Sequence, residues 1–197
     1  MTTASAASST GRPRGFDMDV ALRAALSVFW RHGYTATSLD DLTGAMGLSR
    51  SSFYAAFGSK HDVLLAAVTS YADGVFAELE EIAASGRSPT ATLRAVLDTM
   101  ARPSGGSEGC LLVNSVTELA PDDMVVCEIA RTHIARVISL IGALLVRAGH
   151  RPDKSADLSG ALLSATFGIT TLRKAGLPTA ALAGFLAQLE RLLELPG

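Results

Sequence analysis

The sequence predicts an all-α chain of about nine helices. Three observations carry that prediction. Apolar residues recur at three- and four-residue spacing through most of the 197 positions, which is the helical period. No stretch alternates apolar and polar residues as a half-buried strand does. The composition agrees: 48% hydrophobic, 6% aromatic and 18% charged residues describe a globular core of Ala, Leu and Val rather than of rings.

Taken in order, Met1 to Thr10 is rich in Ser, Thr and Ala, without a basic start or a hydrophobic run. It reads as a disordered leader over residues 1–14, not as a signal peptide. From Asp17 to His32, Val20, Ala21, Ala24, Val28 and Phe29 share one helical face, with Asp17 as N-cap and Gly33 as stop. Thr37 or Ser38 then caps a short helix to Met46, with Asp40 or Asp41 in the first turn as an imperfect capping box. Gly47 supplies a tight turn, Ser49 caps again, and a second short helix ends at Gly58. A long helix from Ser59 or Lys60 to about Ser85 carries Val63, Leu64, Ala67, Val68, Tyr71, Val75, Leu79 and Ile82, and connects two packing units. Further helices are expected at about Thr90–Ala101, Gly109–Leu119, Asp122–Ala148, Asp153–Lys174 and Pro178–Leu195. The clearest internal loop is Arg102 to Glu108, with Pro103 and Gly105-Gly106. The longest uncharged runs, Val137 to Val146 and Leu158 to Leu172, fall short of the roughly 18–20 residues a membrane span needs, so no membrane partner is expected.

The two short helices joined through Ala45-Met46-Gly47-Leu48-Ser49 have the spacing of a helix-turn-helix. Leu39, Leu42, Leu48, Phe53 and Phe57 would face inward. That leaves Ser49, Arg50, Ser51, Ser52, Tyr54 and Ala55 outside, a face suited to phosphate oxygens and base edges in a major groove. The net charge of −2 excludes attraction to DNA by a globally basic chain, so any such surface must be local. Residues 1–62 carry a net +1 and the remainder −3, an asymmetry of the right sign. Two cysteines make no disulfide framework and suit a reduced, cytoplasmic setting. There is no Gly-rich phosphate loop, no Ser/His/Asp arrangement and no metal-ligand spacing, so neither enzyme activity nor a cofactor or metal is expected.

The ordered run Gly33-Tyr34-Thr35-Ala36-Thr37-Ser38, Leu42, Gly47-Leu48-Ser49, Ser52-Phe53-Tyr54, Phe57, Ser59-Lys60 and Leu64-Leu65 resembles the N-terminal domain of TetR-family transcriptional regulators over about residues 17–65. The resemblance implies a DNA-binding domain at 15–60 and a ligand-binding and dimerisation domain at 61–197. It implies that Thr37 or Ser38, Tyr54 and Lys60 hold phosphates of double-stranded operator DNA, with Arg50 and Ser51 nearest the bases. Ala55 and Ala56 stand where many members place Tyr and His, and Thr43 where Ala is usual. Base readout is thinner in consequence, and Arg12 and Arg14 are candidates to compensate as a basic arm.

In the second half, Cys110, Asn114 and Glu118 fall at i, i+4, i+8. Either this stripe lines a ligand cavity or it faces water; the apolar flanks Leu111 and Val113 favour the cavity. Gly109 to Asn114 with Glu118 also resembles, more weakly, the sixth helix of a subgroup containing the N-ethylmaleimide-responsive repressor. A thiolate at a helix N-terminus is stabilised, so Cys110 is either an electrophile-sensing thiol or an inert buried one. His133 is a candidate ligand contact or a structural histidine, and Phe76, Met100 and Phe167 are candidate apolar walls. The last two helices, about 153–174 and 178–195, pair wide apolar surface with small residues, and the family resemblance implies a homodimer formed through them. The function read from the sequence is a repressor that leaves its operator when a mainly apolar small molecule shifts the helix from Lys60 to Ser85. Its alternatives are thiol sensing through Cys110 and a helical protein-interaction module without DNA binding.

Overall fold

The computed structural model describes residues 16–102 and 106–193, and the chain there is helical with no strand among the described residues. The expected leader 1–14, Arg12, Arg14, Pro103, Gly105 and the helix end at Leu195 lie outside them. Local chemistry sets the first three helices. Asp17 accepts hydrogen bonds from the Asp19 and Val20 N–H groups to start α1 (Met18–His32). Ser38 and Asp41 form a reciprocal capping box for α2 (Leu39–Met46). Gly47, at φ 66°, turns the chain in a left-handed conformation that a side chain would strain. Ser49 then accepts the Ser52 N–H to start α3 (Arg50–Phe57).

Six more α-helices follow among the described residues, each within a few residues of its expected place. Ser59 caps α4 (Lys60–Ala83), and Ser88 caps α5 (Pro89–Ala101), which has Pro in its first turn. A 3₁₀ turn at Gly106–Glu108 leads to α6 (Leu111–Leu119), with Cys110 in the capping position but offering no side-chain cap. Asp123 caps α7 (Met124–Arg147), followed by α8 (Pro152–Lys174) and α9 (Thr179–Leu192).

Two cores share α4. The first gathers Ala21, Ala25 and Phe29 of α1, Leu42 and Met46 of α2, and Phe53 of α3 around Val63, Leu64, Ala67 and Val68 of α4. Leu111 and Leu112 of α6 and Val126 and Ala130 of α7 belong to this same core, so the head is seated on α6 and α7 rather than hung from α4 alone. The second core joins Leu79 to α5, α7, α8 and α9 through Leu93, Leu97, Ile141, Leu145, Leu162 and Leu186. By length and hydropathy α7 could cross a membrane, although its uncharged runs are short. Its apolar face is instead the one that builds both cores, and its outer face carries the Arg131–Glu128 and Arg136–Asp73 ion pairs.

Candidate nucleic-acid interface and ligand cavity

Phe53 is fully buried and orients α3 from below, stacking edge-on to Tyr54 and tilted against Phe57. The opposite face is exposed, with Arg50, Ser51, Tyr54 and Ala55 turned outward and Tyr54 53% exposed. Ser49 and Ser52 serve the helix start as well, because Ser49 Oγ takes the Ser52 N–H and lies 2.9 Å from Ser52 Oγ. Ser38 is exposed, its hydroxyl donating to Asp41. Asp41 is held below the usual carboxylate range by those Ser38 hydrogen bonds.

Two expected phosphate contacts are engaged elsewhere. Thr37 is buried, and its hydroxyl donates to the Gly33 carbonyl, so Ser38 is the exposed member of that pair. Lys60 Nζ donates to the carbonyls of Tyr34 (2.9 Å) and Thr37 (2.8 Å) and lies over the Tyr34 ring. Its cation closes the loop between α1 and α2 rather than standing free.

Among the described residues, Trp30 and Glu118 tie this head to the body. The Trp30 indole donates to the Gly109 carbonyl at 3.2 Å. The Glu118 carboxylate accepts the N–H groups of Tyr34 (2.8 Å) and Thr35 (2.7 Å). Burial acts to raise the Glu118 pKa, but these N–H donors and the nearby Lys60 charge outweigh it and hold the carboxyl below its ordinary range. Gly33 makes the approach possible: a Cβ there would meet Glu118 Oε2 at 2.8 Å, and its φ of 78° disfavours any side chain. At the start of α4, His61 meets Asp123 at 2.6 Å, which lowers the Asp123 pKa chiefly through that hydrogen bond.

Above the head, α4, α5, α6, α7 and α8 enclose a cavity of about 250 Å³. Of the expected ligand contacts, Met100, Cys110, His133 and Phe167 line it. Phe76 does not: its ring lies under Arg136, with His133 edge-on behind it. Asn114 is turned to the α1–α6–α8 cleft, where its amide donates to the Glu108 carbonyl, and Glu118 is spent on the head. The cavity wall also holds Tyr71, Val75 and Leu79, a stripe of α4 at four-residue spacing, with Glu78 beside it and Asp98, Thr99 and Arg102 at the end of α5. Helical spacing identifies that stripe as an inward face without saying whether it meets a wall or a void. The Tyr71 hydroxyl donates to Cys110 Sγ at 3.5 Å, and burial pushes its pKa up. Its ring meets Trp30 edge-on at 4.9 Å, so the cavity wall touches the head directly.

His133 is buried, with Nδ1 lacking a partner among the described residues. Burial chiefly, and the Arg136 charge second, lower its pKa below the ordinary 6.5, against an opposing pull from Asp73. Unfolded, the ring titrates near that ordinary value, so it takes up protons there that the folded ring refuses. The stability it contributes is complete above about pH 6.5 and is lost as pH falls through the folded value. Urea midpoints measured at pH 7.5 and 5.5 are expected to fall further for the wild type than for His133→Gln.

Comparison with known proteins places these features. Residues 21–67 match the family described as bacterial regulatory proteins, tetR family. The chain is 36% identical over 118 residues to the HTH-type transcriptional repressor ComR of Escherichia coli K12, covering 58% of this chain and 56% of that protein. It is 32% identical over 109 residues to the repressor BdcR of the same organism, covering 54% and 55%. The chain thus spans a little over half the length of these curated relatives. Among solved structures, a cysteine mutant of the TetR family transcriptional regulator CifR, complexed with 26-bp operator DNA, superposes at TM-score 0.77 with 27% identity over 95% of this chain and 100% of that one. SCO4454 of Streptomyces coelicolor, at TM-score 0.79 and 21% identity over 89% and 93%, shares the fold.

Proposed function

We infer, from a chain that belongs to the tetR family of bacterial regulatory proteins, that it is a transcriptional repressor which reads operator DNA through α3 and releases it when a small molecule fills the cavity. The observation that carries this reading is the outer face of α3, where Arg50, Ser51 and Tyr54 stand exposed over a buried Phe53. It is supported by the operator DNA held by CifR and by the repressors among the sequence relatives. That role puts the protein in the cytoplasm with the chromosome.

A homodimer suits the outer faces of α8 and α9. Ala161, Ser164, Gly168 and Leu172 on α8, and Ala180, Ala183, Gly184 and Phe185 on α9, are all exposed, an apolar and small-residue surface that permits close helix approach. Two heads then meet half-sites about one DNA turn or a multiple apart.

Release follows from how the cavity is built. A ligand that displaces Tyr71 or Cys110 pushes on the indole of Trp30 and on the start of α6, whose far end holds the head through Glu118. Coupling on the order of 1–3 kcal/mol, 5–150-fold in operator affinity, is the usual scale, and it requires that the ligand bind the two arrangements unequally. Val75, Leu79, Met100, Val137 and Phe167 with the unpartnered His133 nitrogen suit a mainly apolar ligand that carries a hydrogen-bonding group, while Glu78, Asp98 and Arg102 make one side of the wall polar. Thiol chemistry is the second reading, favoured by Cys110 Sγ lying in the cavity wall. Cys110→Ser separates the two: a protein that still releases DNA on exposure to electrophiles is not using that sulfur.

The direct test is binding of the purified chain to DNA from its own promoter region. Affinity that depends on sequence and weakens with salt is expected. Binding that is absent, or indifferent to sequence, overturns the reading.

A further inference from the structure

We propose that Asp40 is a specificity-determining residue, which holds the Arg50 guanidinium so that Arg50 reads a guanine instead of clasping a phosphate. The proposal rests on the reading that α3 enters a major groove. Asp40 lies in the first turn of α2 and Arg50 opens α3, so the helix-turn-helix itself brings them together. Asp40 Oδ1 accepts from Arg50 Nε at 3.1 Å and from Nη2 at 2.8 Å, while Oδ2 accepts from Nη2 at 2.9 Å. The carboxylate therefore occupies the Nε–Nη2 edge of the guanidinium. Nη1 has no protein partner among the described residues, so the donors left facing away from Asp40 are the two N–H groups of Nη1.

Those two N–H groups lie in the guanidinium plane and can donate to O6 and N7 of guanine. An unrestrained arginine at a helix start has many rotamers to lose and a full charge that any phosphate satisfies. Asp40 opposes both: it favours one plane before DNA arrives and offsets part of the charge that would reward a non-specific contact. An acid in the first turn of α2 also meets the helix dipole, but that role fixes no partner for the carboxylate. The capping of α2 is already performed by Asp41 with Ser38. Stability gains little from the pair, since the two side chains are 65% and 73% exposed and such surface pairs add little.

The probe is the duplex that the wild-type chain enriches from a randomised DNA library, prepared also with 7-deazaguanine, which lacks the N7 acceptor, in its half-sites. Sheared genomic DNA serves as the non-specific competitor. The wild type is expected to lose affinity on the order of tenfold when N7 is removed. Asp40→Asn is expected to lose most of that penalty and to bind the competitor more tightly, narrowing the specific-to-non-specific ratio about tenfold, with Asp40→Glu recovering part of it. Arg50→Lys, which keeps the charge and loses the fork, is expected to lose the N7 penalty as well. The proposal is overturned if Asp40→Asn keeps both the ratio and the penalty, or if it binds the enriched duplex more tightly at unchanged selectivity, because Asp40 then only screens charge. A wild type that enriches no duplex at all refutes instead the reading that α3 binds DNA.

Discussion

Phe53→Ala is expected to destabilise the protein by about 3–5 kcal/mol, a large part of the roughly 5–15 kcal/mol that holds a domain together. Phe53 is fully buried, and it is the only residue of the eight-residue α3 that is. A helix that short is not stable by itself in water, so the ring that seats it in the first core is most of what keeps it formed. Truncation leaves a void in the first core, which Phe53 shares with Leu42 and Met46 of α2. The loss is expected to be uneven. Hydrogen exchange should accelerate first over residues 39–57, while amides of α7 and α8 in the second core keep their protection. Denaturant unfolding with an exchange map checks both the size and the place of the effect.

Arg50→Ala combined with Tyr54→Ala is expected to lower sequence-specific DNA affinity at least 100-fold while leaving the thermal unfolding midpoint and the oligomeric state unchanged. Each good base contact discriminates by about 1–3 kcal/mol, and in a dimer every substitution acts twice. Both side chains are largely exposed, and removing exposed groups away from caps and cores moves stability by only about 0.5 kcal/mol. Fluorescence anisotropy on promoter DNA, beside a melting curve, separates the two effects. A helical module that engages only proteins would be indifferent to this double change.

What could be read from the sequence alone, and what could not, divides by distance along the chain. Asp17, Ser38 with Asp41, and Ser49 act on residues two or three positions away, so their capping roles follow from residue type and spacing. The turn at Gly47 follows in the same way, from a single residue. The partners of Lys60, Glu118 and Trp30 lie from 23 to 84 positions distant, and no local pattern specifies which surfaces those residues meet. Lys60 therefore reads as a free cation and Glu118 as part of a ligand stripe, although both hold the loop between α1 and α2. Cys110 and Asn114 illustrate the same limit on one helix. They share a spacing, yet the first lines the cavity and the second faces the cleft beside α1. Arg50 shows it most sharply: its exposure is legible from the helix-turn-helix, while its clasp by Asp40 needs the crossing of α2 and α3.

The central claim is that two α3 helices, carried by a dimer joined through α8 and α9, read two halves of one operator. Hydroxyl-radical footprinting of the chain on its own promoter region tests it most directly. The expected pattern is a pair of protected patches on one face of the duplex, with centres one helical turn or a whole multiple apart, both lost together in the Arg50 and Tyr54 double variant. A single isolated patch, uniform protection, or a footprint that survives the double variant would contradict it.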